Sequence, residues 1–201
     1  MKVIGLTGGI GSGKSTVSRL LETMGIPIYI ADTESKRLTE SSPVIREKLT
    51  ERFGKDLYAE GKLDKARLAS LIFGNETNRN YVNSVIHPVV WMDFEHWKAQ
   101  HTQFPVVVIE AAIIFETNLA DSLDVTITVT APEKLRIRRV ELRDGWSYES
   151  ILSRIRSQLP EEEKIRRSDY VIYNDDRQAL IPQIEKIMCY FLPNFILTFV
   201  H

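Results

Sequence analysis

The stretch GGIGSGKST at residues 8–16 is the feature of this sequence that most limits how the chain can fold. It follows an apolar run typical of a strand, residues 3–6, and precedes a stretch typical of a helix, residues 17–24. The pattern G-x-x-x-x-G-K-[ST] between a strand and a helix is the signature of a loop that binds polyphosphate. An ordinary glycine turn would not account for Lys14 and Ser15 at the start of the helix. The sequence therefore predicts a site for a nucleoside triphosphate.

The chemistry of this loop assigns a role to each of its parts. Glycines allow the tight turn that points consecutive backbone N–H groups at phosphate oxygens, and the positive end of the next helix faces the same phosphates. We expect Lys14 to reach the terminal phosphates and the Ser15 hydroxyl to be a ligand of Mg²⁺. The ATP-binding residues expected in the loop are Gly11, Ser12, Gly13, Lys14, Ser15 and Thr16.

The composition is that of an ordinary globular protein. The chain has 201 residues, 43% of them hydrophobic and 26% charged, which suits one domain with insertions. A formal net charge of −1 gives no reason to expect a nucleic acid or a membrane as a partner. The single cysteine, Cys189, excludes internal disulfides, suits a reducing cytosol and is expected to be buried. We expect a cytoplasmic protein without a signal peptide, as a monomer or a small homo-oligomer.

Five short apolar runs rich in β-branched residues predict the strands of a sheet. Helical patterns separate these runs, which is typical of an α/β protein with a parallel five-stranded sheet and helices on both faces. Right-handed crossovers bring the carboxyl ends of all five strands to the edge that holds the glycine loop. The predicted strands cover residues 2–7, 27–31, 105–110, 125–130 and 170–173.

Two connections between these strands are too long for a single helix. Residues 32–104 contain several helical patterns, which start near Ser42, Asp64 and Asn75, and they predict an inserted helical subdomain with room for a second substrate. Residues 132–167 predict three helices with many basic side chains. We expect this second connection to act as a mobile lid.

Acidic residues follow two of the predicted strands. Asp32 comes just after the second strand, where a carboxylate could accept a proton from an attacking hydroxyl. Its alternative role is to cap the helix that follows. Glu110 ends the third strand, where it could hold Mg²⁺ through water or orient the nucleophile, or could simply be a solvated acid.

Three arginines of the predicted lid share one helical face. Arg136, Arg139 and Arg143 have the spacing i, i+3 and i+7, so we expect polyphosphate as their partner, the alternative being a charged face in solvent. Arg154 and Gln158 share a face of the next helix at i and i+4, with the same two readings. His87 taken alone is more often structural than catalytic, and the histidines and the cysteine lack the spacing of a metal site.

Several motifs together resemble those of the dephospho-CoA kinase family. They follow one another along most of the chain, to about residue 175: GLTGGIGSGKST at 5–16, AD at 31–32, IHP at 86–88, IIFE at 113–116, RVELRDG at 139–145, RIRSQ at 154–158 and SDYVIYN at 168–174. The resemblance implies ATP-dependent phosphorylation of the ribose 3′-hydroxyl of dephospho-CoA, the last step of coenzyme A biosynthesis. It also implies the strand order 2-3-1-4-5 of nucleotide kinases.

The resemblance further implies roles for single residues. Asp32 matches the catalytic aspartate, the second acid of a DAD triplet whose first acid is replaced by Ile30. Arg139 and Arg143 match catalytic lid arginines, and Asn174 matches an ATP contact followed here by two aspartates. Glu110 stands where the family often has Asp. The residues expected to bind dephospho-CoA are Asp32, His87, Glu110, Arg154 and Gln158.

The expected organisation is a single P-loop kinase domain over residues 1–201. Residues 1–31 and 105–201 would form the nucleotide-binding core, with the lid at about 140–167, and residues 32–104 the substrate subdomain. Two alternatives remain open from the sequence. The chain could phosphorylate another small metabolite or a nucleoside monophosphate, or it could be a P-loop switch that binds a nucleotide without phosphorylating a metabolite.

Overall fold

The computed structural model describes residues 1–117 and 119–192. The chain forms two compact units, one made of Met1–Ile30 and of the chain from His101 onward, and one made of Ala31–Gln100. In the described residues the strands are β1 (Lys2–Thr7), β2 (Ile28–Ile30), β3 (Tyr58–Ala59), β4 (Lys62–Leu63), β5 (Val106–Glu110), β6 (Val125–Thr130) and β7 (Tyr170–Tyr173). The α-helices are α1 (Lys14–Thr23), α2 (Ala31–Ser41), α3 (Pro43–Phe53), α4 (Lys65–Ile72), α5 (Glu76–Ala99), α6 (Glu133–Asp144), α7 (Tyr148–Arg156), α8 (Glu161–Arg167) and α9 (Leu180–Met188).

The first unit is built on a parallel sheet of five strands in the order β2-β5-β1-β6-β7. Numbered among these five strands alone, this is the order 2-3-1-4-5, so the predicted topology is confirmed. Three of the five predicted strands have the observed bounds, and the other two are one residue shorter at one or both ends. The strand β1 lies at the centre, and the glycine loop follows its carboxyl end.

Alternate residues of the strands form the core of this unit, because successive side chains of a strand point to opposite faces of a sheet. Ile4 and Leu6 of β1 belong to one apolar cluster with every second residue of β5 and β6, and α1 and α9 pack against this cluster. On the other face, α8 contacts β6. Helices therefore cover both faces, as a parallel sheet requires.

The second unit is helical and packs around α5. The helices α2, α3 and α4 all contact α5, and β3 pairs with β4 as a short antiparallel hairpin. The helix α5 runs through Pro88 as one element. Its buried side chains, and those of the elements around it, are Leu38, Ile45, Leu49, Leu57, Leu68, Val82, Val85, Ile86, Val90 and Phe94.

Side-chain caps explain why several helices begin where they do. Ser42, Asp64, Asn75 and Ser147 each accept a hydrogen bond from a backbone N–H in the first turn of the helix that follows. Such caps satisfy N–H groups that have no partner within the helix. The predicted helix starts near Ser42, Asp64 and Asn75 are therefore confirmed.

The C-terminal part of the chain corrects one expectation. Cys189 is exposed and not buried, because it follows the last residue of α9, past the apolar face that Ile184 and Met188 turn toward the core. Phe191 and Leu192 pack against that core, while residues 193–201 lie outside the described residues. Among the helices that the structure describes, none combines the length and the apolar character needed to cross a membrane.

Candidate active site

The glycine loop joins β1 to α1 in a conformation that glycine adopts far more readily than other residues. Gly11 and Gly13 have φ angles of 77° and 94°, in the left-handed region. Gly13 is the N-cap residue of α1, which therefore starts at Lys14 without a capping side chain. The first N–H groups of the helix are thus left for an anion, as at other phosphate-binding helix N-termini.

The side chains expected to meet the phosphates lie at this turn. Lys14 Nζ donates to the carbonyl oxygens of Gly8 and Gly9, at 2.9 Å and 3.4 Å, so its ammonium group lies over the loop. Ser15 and Thr16 are exposed at the start of α1, while Ser12 is fully buried. The Lys14 ammonium group and the exposed Ser15 side chain therefore both lie at the uncapped N-terminus of α1.

Asn174, which directly follows β7, contacts the same loop. Its side-chain Nδ2 donates to the carbonyl oxygen of Ser12 at 2.8 Å, and its Oδ1 accepts from Arg139 Nη2 at 3.4 Å. Arg139 also forms an ion pair with Asp176, with 2.5 Å between Nη2 and Oδ1. The structure thus brings two predicted site residues, Asn174 and Arg139, to the second half of the glycine loop.

The three arginines of the expected stripe have different surroundings. Arg136 is buried and pairs with Glu161 at 3.0 Å, so its anionic partner in the structure is a protein carboxylate. Arg143 forms a bidentate pair with Asp144, and its side chain is 60% exposed. The hydrogen bonds that Arg143 donates to the Asp144 carboxylate raise the pKa of Arg143, so this side chain carries its positive charge at any ordinary pH.

Gln158 and Arg154 also differ. Gln158 Oε1 accepts a hydrogen bond of 3.0 Å from the backbone N–H of Ile10, inside the glycine loop. Arg154 is exposed on α7. The predicted common helical face is wrong, because α7 ends at Arg156 with Ser157 as its C-cap, and Gln158 lies beyond the helix, where its side chain contacts the loop.

Glu110 ends β5 as a buried carboxylate. Its Oε2 accepts a hydrogen bond of 2.7 Å from the hydroxyl of Ser18 on α1, one turn beyond Lys14. Ser18 had no role in the interpretation of the sequence. Its position four residues after Lys14 could have indicated that it lies near the site, since residues four apart share a helical face.

A further ion pair connects the segment after β5 to α8. Lys164 is fully buried and donates 2.7 Å hydrogen bonds to Glu116 Oε1 and to the carbonyl oxygen of Ala112. Glu116 Oε1 also accepts from the backbone N–H of Leu159. The roles of Lys164 and Glu161 were not predicted, because each depends on a partner more than twenty residues away in the chain.

Two predicted site residues belong to the second unit. Asp32 is exposed and is the second residue of α2, inside the first turn and not at the capping position. His87 lies half-buried on α5, and burial lowers its pKa. Within residues 1–117 and 119–192, no group of three or more His, Cys, Asp or Glu side chains is arranged to hold a metal ion.

A parallel sheet of this strand order, with a polyphosphate loop after its central strand, is the architecture of P-loop kinases. That is the class to which the fold and the loop assign this chain. A family model described as dephospho-CoA kinase matches residues 2–179. The chain belongs to the dephospho-CoA kinase family, so it is a phosphotransferase of coenzyme A biosynthesis. The family match gives no support to the other two functions considered from the sequence.

Individual relatives agree with this assignment. The dephospho-CoA kinase of Bacteroides fragilis (strain YCH46) is 44% identical over 187 residues, which cover 93% of this chain and 91% of that protein. The crystal structure of TT1252 from Thermus thermophilus superposes with a TM-score of 0.82 at 33% identity, over 98% of both chains. The fold is also that of the dephospho-CoA kinase from Campylobacter jejuni, with a TM-score of 0.68 at 23% identity, over 96% of this chain and 98% of that one.

Proposed function

We propose that the protein transfers the γ-phosphoryl group of Mg²⁺-bound ATP to the ribose 3′-hydroxyl of dephospho-CoA. The observation that carries this proposal is the glycine loop at the open N-terminus of α1, with Lys14 over it, in a chain of this family. The N–H groups of the first turn of α1 would bind the phosphates, and Lys14 would move from the loop carbonyls to the terminal phosphates.

The residues present suit a magnesium ion held mainly by substrate. Ser15 offers an exposed hydroxyl beside Lys14, and Mg²⁺ commonly takes one or two protein oxygens together with phosphate oxygens and water. Ser15 would hold the ion there. When bound, Mg²⁺ would neutralise negative charge on the phosphates.

Asp32 is the proposed general base. Two observations support this role: Asp32 is exposed, and it follows the carboxyl end of β2 by two residues, the end at which parallel sheets bind their ligands. Its carboxylate would accept the proton of the 3′-hydroxyl as that oxygen attacks phosphorus. Glu110 is the second candidate, but its carboxylate is buried and already accepts a hydrogen bond from Ser18.

Arg139 and Arg143 are proposed to stabilise the charge that develops on the transferring phosphoryl group. Arg139 lies beside Asn174 at the loop, and Arg143 lies in the last turn of α6 with a largely exposed side chain. Contacts of His87, Glu110, Arg154 and Gln158 with dephospho-CoA, and of Asn174 with ATP, stay predictions. So do a cytoplasmic location, a monomer or small homo-oligomer, and the absence of a nucleic-acid partner, which the net charge of −1 favours.

A coupled assay of ADP release tests the proposed function. We expect ADP release in the presence of Mg-ATP and dephospho-CoA, and much slower release with adenosine or AMP as acceptor. Lys14→Ala is the matched control, because it removes the phosphate-binding cation at the start of α1, and Lys14 is not part of the buried core. Faster release with AMP than with dephospho-CoA would assign the chain a different acceptor.

A further inference from the structure

Two side-chain amides hold the backbone of the glycine loop through hydrogen bonds of opposite sense. Gln158 accepts from the N–H of Ile10 at 3.0 Å, and Asn174 donates to the carbonyl oxygen of Ser12 at 2.8 Å. A backbone N–H is always a donor and a carbonyl oxygen always an acceptor, so these partners fix which end of each amide faces the loop. Gln158 must present its oxygen and Asn174 its NH₂ group.

The two contacts lie on either side of Gly11, one of the loop glycines with a left-handed φ angle. A Cβ atom on Gly11 would lie 2.4 Å from the carbonyl oxygen of Arg136, and one on Gly13 would lie 1.9 Å from Asn174 Nδ2. The loop backbone therefore packs directly against α6 and against Asn174. A peptide plane held at its N–H or its C=O cannot rotate freely. The two side-chain amides therefore fix the orientation of the backbone peptide groups from Ile10 to Ser12.

We propose that Gln158 and Asn174 are positioning residues that keep the loop in its phosphate-binding shape before the nucleotide arrives. The proposal rests on the proposed function, because it requires the loop to bind the phosphates of ATP. It gives Gln158 a role different from the predicted contact with dephospho-CoA. Pre-organised N–H groups bind phosphate more tightly, since less conformational freedom is lost on binding.

The opposite sense of the two bonds provides a matched pair of variants. Gln158→Glu keeps an acceptor oxygen at the same reach, so the bond to the Ile10 N–H is retained. Asn174→Asp removes the donor and turns an oxygen toward the Ser12 carbonyl oxygen, so the bond is lost. Each variant adds one negative charge near the loop, and Arg139 offsets the charge in Asn174→Asp. Repulsion of phosphate alone would therefore make Gln158→Glu the weaker binder.

The test is the dissociation constant of Mg-ATP and of inorganic tripolyphosphate, measured by calorimetry without dephospho-CoA. Tripolyphosphate has no adenine, so its affinity reports on the loop and not on a contact between Asn174 and the base. We expect Gln158→Ala and Asn174→Ala to weaken tripolyphosphate binding about 3- to 10-fold, as the loss of one hydrogen bond predicts. Asn174→Asp should weaken it more than Gln158→Glu does, with thermal melts confirming that each variant is folded.

The outcomes separate this inference from the proposed function. Wild-type affinity in both folded alanine variants would overturn the positioning role, and so would a larger loss in Gln158→Glu than in Asn174→Asp. If Gln158→Ala raises the KM of dephospho-CoA alone, then Gln158 is a substrate contact and the inference is wrong. If the wild-type protein itself binds neither Mg-ATP nor tripolyphosphate, the proposed function fails first.

Discussion

At the scale of single residues, Arg136, Arg139 and Arg143 of α6 differ in burial and in the strength of their ion pairs. Arg136 is buried against Glu161, and Arg139 lies between Asn174 and Asp176. Arg143 is 60% exposed and is paired with its neighbour in the chain, Asp144. An exposed ion pair contributes little to stability, so Arg143 can exchange this partner for a phosphoryl group at small cost.

Arg143→Ala should therefore slow phosphoryl transfer more than it weakens ATP binding. An arginine that acts mainly in the transition state lowers kcat and leaves KM nearly unchanged, and we expect kcat to fall by about 10²-fold. Steady-state kinetics with dephospho-CoA at varied Mg-ATP measure both constants. A higher KM for ATP at unchanged kcat would contradict a role in the transition state.

Asp32→Asn tests the proposed base without changing the shape of the side chain. Loss of the proton acceptor should lower kcat by about 10²–10⁴-fold, while ATP affinity stays within a few fold. Because Asp32 is in the first turn of α2, the loss of its charge should cost only about 0.3–1 kcal/mol of stability. A folded variant with at least half of the wild-type kcat would contradict the catalytic role and leave Glu110 as the next candidate.

At the scale of elements, local sequence signals predicted what is local in the structure. The strands were recognisable because strands buried on both faces are continuously apolar, and the capped helices because their caps lie next to them in the chain. The hairpin of β3 and β4 was missed, since two-residue strands are too short to show a period. The start of α2 was placed too late, because Asp32 as a cap implies a helix that begins at residue 33, whereas α2 begins at Ala31 with no loop after β2.

The same limit applies to the candidate site. The glycine loop was predicted in full because its residues are consecutive. The partners of the loop come from 148 and 162 residues further along the chain, so no local pattern could show that Gln158 and Asn174 contact it. The pairing of Arg136 with Glu161 was hidden for the same reason, and polyphosphate was the expected partner instead.

The ion pair between Lys164 of α8 and Glu116, which follows β5, is expected to stabilise the packing of these two segments. Glu116→Ala would leave the ammonium group of Lys164 fully buried without its carboxylate. Removing one partner of a buried pair is strongly destabilising, and because Glu116 is 22% exposed we expect a loss of about 2–3 kcal/mol. Chemical denaturation measures this loss. Asp56→Ala, which removes an 87% exposed carboxylate 3.7 Å from Arg67, is the control and should leave the free energy of unfolding nearly unchanged.

At the scale of the whole molecule, the protonation of His87 makes the free energy of unfolding depend on pH. Burial lowers its pKa, so the folded protein disfavours the proton that the unfolded chain binds below about pH 6.5. A basic group whose pKa is lowered by folding makes the protein less stable as the pH falls through its unfolded value. The melting temperature should therefore drop between pH 7.5 and pH 5.5, and by less in His87→Gln. An equal drop in both proteins would contradict this assignment.

We propose that the 3′-hydroxyl of dephospho-CoA accepts the phosphoryl group. The position of the new phosphate in the product is the most direct evidence for or against this acceptor. ³¹P NMR of the product formed from Mg-ATP and dephospho-CoA identifies which oxygen carries it. We expect one new phosphate monoester on the ribose 3′-oxygen, formed together with ADP. A monoester at the 2′-oxygen, or ADP and free phosphate beside unchanged dephospho-CoA, would contradict this proposal.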